Sequence, residues 1–234
     1  MASEIKVSSV KAKDGTAGIS IADSTGNVSL SGTLSAGTLG SSVVVPATTS
    51  GCVKLYHNAF SGVTSASIDG YFDDTKYSYY ELHLKNVRKA STNTNEEFLM
   101  RVNIGGSTST ASHFWTCSMG VYSDGGNPSS VFRADNDSAN ICNMDNTWSI
   151  PHNGNTAGSA TYHLRIGEPQ NTDRYKNIQF SHYTSRAASS GSYRAILSHS
   201  MANVETTSAL TGFTFFCASS GAFECTASLF GFRL

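Results

Sequence analysis

A side-chain period of two is the feature of this sequence that most restricts its fold. Apolar and polar residues alternate in three segments, and shorter apolar stretches further along the chain are also predicted to be strands. The segments are residues 77–87, 97–104 and 161–167, and the stretches are 178–180, 193–197 and 213–217. This period matches antiparallel β-strands that bury one face and leave the other in water. The sequence therefore predicts an antiparallel β-sandwich.

The composition argues against helices. No segment has the i, i+3, i+4, i+7 apolar spacing of an amphipathic helix between capping residues. Charged residues make up only 14% of the chain, and glycine occurs 21 times. Ser, Thr and Asn are abundant instead, and their short side chains compete with the helical backbone for hydrogen bonds. We expect an all-β protein without a long helix.

The last segment is apolar at both parities. Apolar side chains occupy alternate positions over residues 223–229, whereas Phe230, Phe232 and Leu234 occupy the other parity. A β-bulge between Leu229 and Phe230 would keep all of these side chains on one face. Otherwise both faces of the strand are covered, as they would be if a neighbouring subunit packed there.

Residues 1–50 differ from the rest. Very short apolar stretches are separated by Gly, Ser and Thr, and no charged side chain occurs from Ser24 to Val53. Strands this short cannot bury a core within one copy of the chain. The segment is either a flexible linker or a stem of several intertwined copies, and its regularly spaced β-branched residues favour the stem. We predict a stem over residues 1–50 and a sandwich head over 51–234.

Contacts between copies are expected at both ends of the chain. In the stem, the apolar side chains would meet on a shared axis while glycines allow close approach. At the end of the head, a neighbouring subunit would cover the second apolar face. The interface candidates are Ile19, Ile21, Val28, Leu30, Leu34, Phe230, Phe232 and Leu234.

Several kinds of partner and compartment are disfavoured. The net charge is −1 and the arginines are scattered, whereas nucleic-acid binding needs a clustered basic surface. No apolar stretch approaches the roughly 18 residues of a membrane span, and the first residues lack a signal-peptide pattern. Five widely spaced cysteines without a CxxC motif are predicted to be small buried hydrophobes, which fits assembly in a reducing cytoplasm. We expect neither nucleic-acid binding nor membrane insertion.

No catalytic or metal-binding motif is present in the sequence. The nucleophile elbow, the phosphate loop, the dinucleotide fingerprint and the HExxH motif are all missing. Asp135, Asp137 and Asp145 lack the glycine and glutamate of a calcium loop, so a solvated turn is the better interpretation. His83 and His163 lie on the polar parity of their strands and are predicted to be exposed surface residues. We expect a non-enzymatic protein with no metal and no cofactor.

Segments rich in Asn, Asp, Ser, Trp and Tyr suit carbohydrate recognition. Amides and carboxylates bond sugar hydroxyls, and aromatic faces stack on sugar rings. The alternative for each tryptophan is an anchor in the core or in an interface. The glycan-binding candidates are Trp115, Tyr122, Asp124, Asn127, Trp148, His152 and Asn153.

Three stretches resemble structural proteins of tailed bacteriophages, especially marine ones. Residues 5–46, IKVSSVKAKDGTAGISIADSTGNVSLSGTLSAGTLGSSVVVP, resemble the stems of fibre-like chains. Residues 77–106, YSYYELHLKNVRKASTNTNEEFLMRVNIGG, resemble the paired strands that open the heads of such proteins, and residues 226–234, TASLFGFRL, resemble the closing strand. The resemblance implies a homotrimeric fibre or spike, docked on other virion proteins through its N-terminus, with an exposed jelly-roll-like head. It carries over no catalytic residues.

Three functions compete. The first is a virion fibre or spike, assembled in the host cytoplasm, whose head attaches to host-surface glycans. The alternative is a capsid decoration or cement protein that stabilises the shell. A polysaccharide depolymerase is the least favoured, because those folds usually need a longer chain to build a groove.

Overall fold

The chain forms two separate compact units. The computed structural model describes residues 9–11, 17–21, 28–30, 51–90, 97–111, 114–124, 127–139, 142–143, 150, 158–187 and 193–233. Contacts divide the chain into Met1–Pro46 and Ala47–Leu234. All regular structure in the described residues is β-strand, so the all-β prediction is confirmed.

The first unit contains a small antiparallel sheet of three strands, β1 (Ser9–Lys11), β2 (Ala17–Ile21) and β3 (Val28–Leu30). Ile19 lies opposite Leu30, and Ile21 lies opposite Val28. Four of the predicted interface residues therefore form two cross-strand pairs within one chain. Leu34 lies outside the described residues.

In the described residues, the second unit contains thirteen strands in two antiparallel sheets. They are β4 (Cys52–Val63), β5 (Ser65–Asp69), β6 (Tyr79–Lys89), β7 (Phe98–Ile104), β8 (Ser107–Thr108), β9 (Phe114–Asp124), β10 (Asn127–Ala139), β11 (Cys142–Asn143), β12 (Ser159–Gly167), β13 (Lys176–Ala187), β14 (Tyr193–Val204), β15 (Leu210–Cys217) and β16 (Phe223–Phe232). The larger sheet has the order β10-β9-β14-β13-β12-β6-β16-β4. The smaller has the order β11-β7-β15-β5, with β8 paired to β7.

An apolar core lies between the two sheets. Phe98 of β7 contacts Tyr162 of β12 and Phe223 of β16, with ring centroids 5.4 and 5.1 Å apart. Leu82 and Leu84 of β6 belong to the same buried cluster. Burial of this apolar surface is the main force that holds the sheets together, and the arrangement is consistent with a β-sandwich.

The alternation predicted for β6 and β12 is confirmed by their burial. In β6, Tyr80, Leu82 and Leu84 are buried, whereas Glu81 and His83 between them are half-buried on the opposite face. In β7, both parities are largely buried, and Leu99 and Asn103 are covered as well. In the larger sheet, the polar parity of the central strands β6 and β12 forms an outer face, and the candidate site lies on this face.

β16 combines features of the two alternatives for the last segment. The pairing of β16 with β4 shifts register between Leu229 and Phe230, as predicted for a bulge. However, Leu229 pairs with Tyr56 and Phe230 pairs with Lys54, so the extra residue lies in β4. Alternation in β16 therefore continues unbroken, and the idea that the bulge brings all apolar side chains to one face is wrong. Phe230 and Phe232 are half-buried on the outer face.

Two further expectations require correction. Asp135 and Asp137 lie in β10, where Asp135 pairs with Thr116, so this stretch is a strand and not a turn; Asp145 lies outside the described residues. Cysteines occur in strands as predicted, but only two of the four with described side chains are buried, Cys217 and Cys225. Cys52 and Cys117 are exposed, because each occupies a position on the outer side of its strand.

Candidate functional site

The central outer face of the larger sheet brings three potential ligand side chains together. Glu81 and His83 are two residues apart on β6, so both side chains point away from the core. His163 of β12 lies directly opposite His83 in the antiparallel register, and Arg165 lies opposite Glu81. We call Glu81, His83 and His163 the His–Glu cluster.

The His–Glu cluster is tightly spaced. The Nε2 atoms of His163 and His83 lie 3.2 and 3.6 Å from the same carboxylate oxygen, Oε2 of Glu81. The two imidazole rings meet edge to face, with centroids 4.5 Å apart. Both Nε2 atoms are buried from solvent and have no hydrogen-bond partner in the described part of the chain. Such buried, unsatisfied polar atoms carry a free-energy cost and call for an explanation.

The electrostatic environment favours neutral His83. Burial lowers the pKa of His83, and the nearby His163 lowers it further because two positive rings would repel each other. Glu81 acts in the opposite direction and raises this pKa. The net shift is downward, so at neutral pH the His83 ring keeps a lone pair for a proton or a metal ion.

Aromatic side chains border the His–Glu cluster. The ring of Phe230 lies 5.2 Å from that of His83. On the other side, Phe232 stacks on Tyr79 with centroids 4.5 Å apart, and the guanidinium of Arg165 lies 4.1 Å from the Tyr79 ring centre. The second apolar parity of β16 thus packs within this chain against β6, which explains how Phe230 and Phe232 become half-buried.

A second feature of the same sheet face is an exposed apolar patch on β9, β14 and β13. Leu197 lies opposite both Val121 and Tyr183, and Met201 lies opposite Cys117, so these side chains form rows across three adjacent strands. Tyr183 is 49% exposed and Met201 is 55% exposed. The members of the apolar patch are Cys117, Met119, Val121, Tyr183, Leu197 and Met201.

A shallow recess of about 510 Å³ adjoins the apolar patch. Val121, Tyr183 and Leu197 supply its apolar walls. Ser159, Thr161 and Ser185 place hydroxyl-bearing side chains along its border. An exposed aromatic ring beside hydroxyl groups is a suitable surface for a sugar ring.

The predicted glycan-binding residues are only partly described. Asp124 at the end of β9 pairs with Asn127 at the start of β10, and Tyr122 lies two residues before Asp124 on β9. Trp115 lies opposite Asn203 near the other end of β9, seven residues and roughly 23 Å from Tyr122 along the strand. Trp148, His152 and Asn153 lie outside the described residues, as does the predicted interface residue Leu234.

Sequence reasoning missed both the His–Glu cluster and the apolar patch. Parity placed His83 and His163 correctly on the outer face, but these side chains are only 33% and 42% exposed. Their convergence depends on the pairing of β6 with β12, two strands separated by about seventy residues. The available signal was the shared parity of Glu81 and His83 on one strand and of His163 on another.

No protein-family model matches the sequence, and no curated protein matches it. No helix in the described residues is long and apolar enough to cross a membrane.

Proposed function

We propose that the chain is a non-enzymatic structural protein of a bacteriophage virion, a fibre or spike that attaches to glycans on the host surface. The main support is the apolar patch on β9, β14 and β13. Large apolar side chains that lie together in water mark a surface that another molecule covers. The resemblance of residues 5–46, 77–106 and 226–234 to phage fibre chains supports the virion assignment.

The recess beside the apolar patch favours a sugar as the bound group. Tyr183 offers a half-exposed ring, and the surrounding serine and threonine side chains offer donors and acceptors for sugar hydroxyls. An open recess suits reversible attachment to a polymer chain. The predicted residues Tyr122 and Asp124 occupy the opposite parity of β9 from Val121, so the apolar patch does not include them.

Glycan attachment can be tested with the fluorescently labelled full-length chain on an array of bacterial surface polysaccharides. We expect saturable binding to at least one polysaccharide and a loss of at least tenfold in affinity for Tyr183→Ala. Tyr175→Ala is the matched control, because Tyr175 is 52% exposed but lies eight residues, roughly 27 Å, along the chain from Tyr183. Its affinity should stay within twofold of that of the unchanged chain. The proposal would be contradicted if the chain showed saturable binding to none of the polysaccharides.

We further propose that three copies assemble through residues 1–50 into a homotrimer with a jelly-roll-like head on each copy. The apolar pairs Ile19–Leu30 and Ile21–Val28 would contribute to the shared axis. Sedimentation equilibrium should then give about three times the chain mass of 24.8 kDa. The double substitution Ile19→Asp and Ile21→Asp should lower this mass to that of one chain, and a monomeric unchanged chain would overturn the trimer.

A capsid decoration protein is the second candidate, because the apolar patch would also fit a protein shell. In that case the full-length chain should bind purified phage capsids that lack it. It should show no saturable binding to polysaccharides. The pair of measurements separates the two functions with the same protein sample.

A further inference from the structure

We propose that Glu81, His83 and His163 form a binding site for a divalent transition-metal ion, with Zn²⁺ the best match. Two imidazoles and one carboxylate are a donor set that suits Zn²⁺ and its neighbours, whereas Mg²⁺ and Ca²⁺ favour oxygen ligands alone. Both histidines lie on strands of the packed sheet, so the site is built on a rigid support.

The spacing of the ligand atoms matches this ion. In a tetrahedral Zn²⁺ site, the ligand atoms lie about 2.0–2.2 Å from the metal and therefore about 3.3–3.6 Å from one another. Oε2 of Glu81 lies 3.2 Å from Nε2 of His163 and 3.6 Å from Nε2 of His83. One ligand atom from each of the three residues falls within 4.8 Å of the other two.

The unsatisfied nitrogens give the second line of argument. Both Nε2 atoms are shielded from water, and neither has a hydrogen-bond partner among the described residues. A metal ion would satisfy the lone pairs of both nitrogens and one carboxylate oxygen at once. It would also neutralise the negative charge of Glu81 on a half-buried surface.

The surroundings strengthen the site. Phe230 lies beside His83 and excludes water from one side, which strengthens the interaction between the ion and its ligands. The guanidinium of Arg165 is held over the Tyr79 ring. Three protein ligands leave one coordination position for water or for an oxygen or nitrogen donor of a bound molecule.

Isothermal titration of the EDTA-treated full-length chain with ZnCl₂ tests the site. We expect one Zn²⁺ per chain, no comparable binding of MgCl₂, and at least tenfold weaker Zn²⁺ binding for His83→Gln and His163→Gln. Co²⁺ in place of Zn²⁺ should produce the intense visible absorption of tetrahedral coordination in the unchanged chain and lose it in both variants. Circular dichroism without metal should show that the variants fold.

His199→Gln is the matched control. His199 also lies on the larger sheet, in β14, but its Nδ1 atom is paired with the Ser181 hydroxyl at 2.9 Å. This variant should bind Zn²⁺ within twofold of the unchanged chain. Absence of Zn²⁺ binding, equal binding of Mg²⁺, or unchanged affinity in His163→Gln would each overturn the proposal. None of these outcomes depends on glycan attachment, so the two proposals fail independently.

Discussion

The two faces of the larger sheet use the same strands for opposite purposes. Along β6, Leu82 and Leu84 face the smaller sheet and are almost completely buried, while Glu81 and His83 face outward between them. β12 repeats the arrangement with Leu164 inside and His163 outside. A shift of one residue thus separates a position that stabilises the fold from one that is available for binding. This contrast implies that outer-face substitutions can remove binding without unfolding the protein.

The largest expected effect is on the inner face. Leu164→Ala deletes buried methyl groups next to the aromatic core and leaves a cavity, because close-packed neighbours relax only in part. We expect the free energy of unfolding to fall by about 2–5 kcal/mol. Urea unfolding followed by circular dichroism measures this change. A loss below about 1 kcal/mol would show that the inner face is not close-packed at this position.

The inner face should also respond to acid through one buried histidine. His182 is fully buried, its ring stacks on Tyr162 with centroids 4.6 Å apart, and burial lowers its pKa to about 3. In the unfolded chain this residue would titrate near pH 6.5. Between these values the unfolded state binds the extra proton, so the stability conferred by neutral His182 is complete above pH 6.5 and declines as the pH falls toward 3.

His182→Phe keeps a ring against Tyr162 and removes the titration. The unchanged chain should lose about 1.4 kcal/mol of stability per pH unit below pH 6.5 that this variant does not lose. Urea midpoints of both proteins at pH 7 and pH 5 measure the difference. Parallel pH profiles would show that the ring of His182 reaches water in the folded protein.

The smallest expected effect is on the outer face. Arg165→Gln removes the cation from the Tyr79 ring but leaves the stack of Tyr79 on Phe232 in place. An exposed contact of this kind contributes about 0.5–1 kcal/mol. The midpoint temperature of thermal unfolding should therefore fall by only a few degrees. A loss as large as that of Leu164→Ala would break the division between the two faces.

The sequence predicted local structure better than long-range pairing. Alternation identified β6 and β12 because their buried and outer residues differ strongly in polarity. It also located β7, although both parities of that strand are largely buried. β4 escaped detection, since it is an edge strand whose residues are mostly exposed and carry no clear alternation. β10 was mistaken for a turn at Asp135 because polar residues on an edge strand look like a loop.

The candidate site shows the same limit. The parity of the two strands indicated that His83 and His163 lie on the polar, outer side of a sheet. Their contact with Glu81 depends on which strands are neighbours, and that choice is made by the packing of the whole core. The apolar patch was missed for a related reason: Met119, Leu197 and Tyr183 lie on three different strands, and only the register brings them together.

The position of β16 has a consequence for how the protein is made. This strand lies between β6 and β4. A hydrogen bond therefore joins His57 of β4 to Ser228 of β16, which lies 171 positions later in the sequence. A ribosome adds about 5–20 residues per second, so roughly ten to thirty seconds pass between the synthesis of β4 and that of β16. During that time β6 exposes an unpaired edge. Chaperones bind such edges, and other strands can pair with them incorrectly. The larger sheet can be completed only after synthesis has passed residue 232, so premature termination should yield insoluble chains.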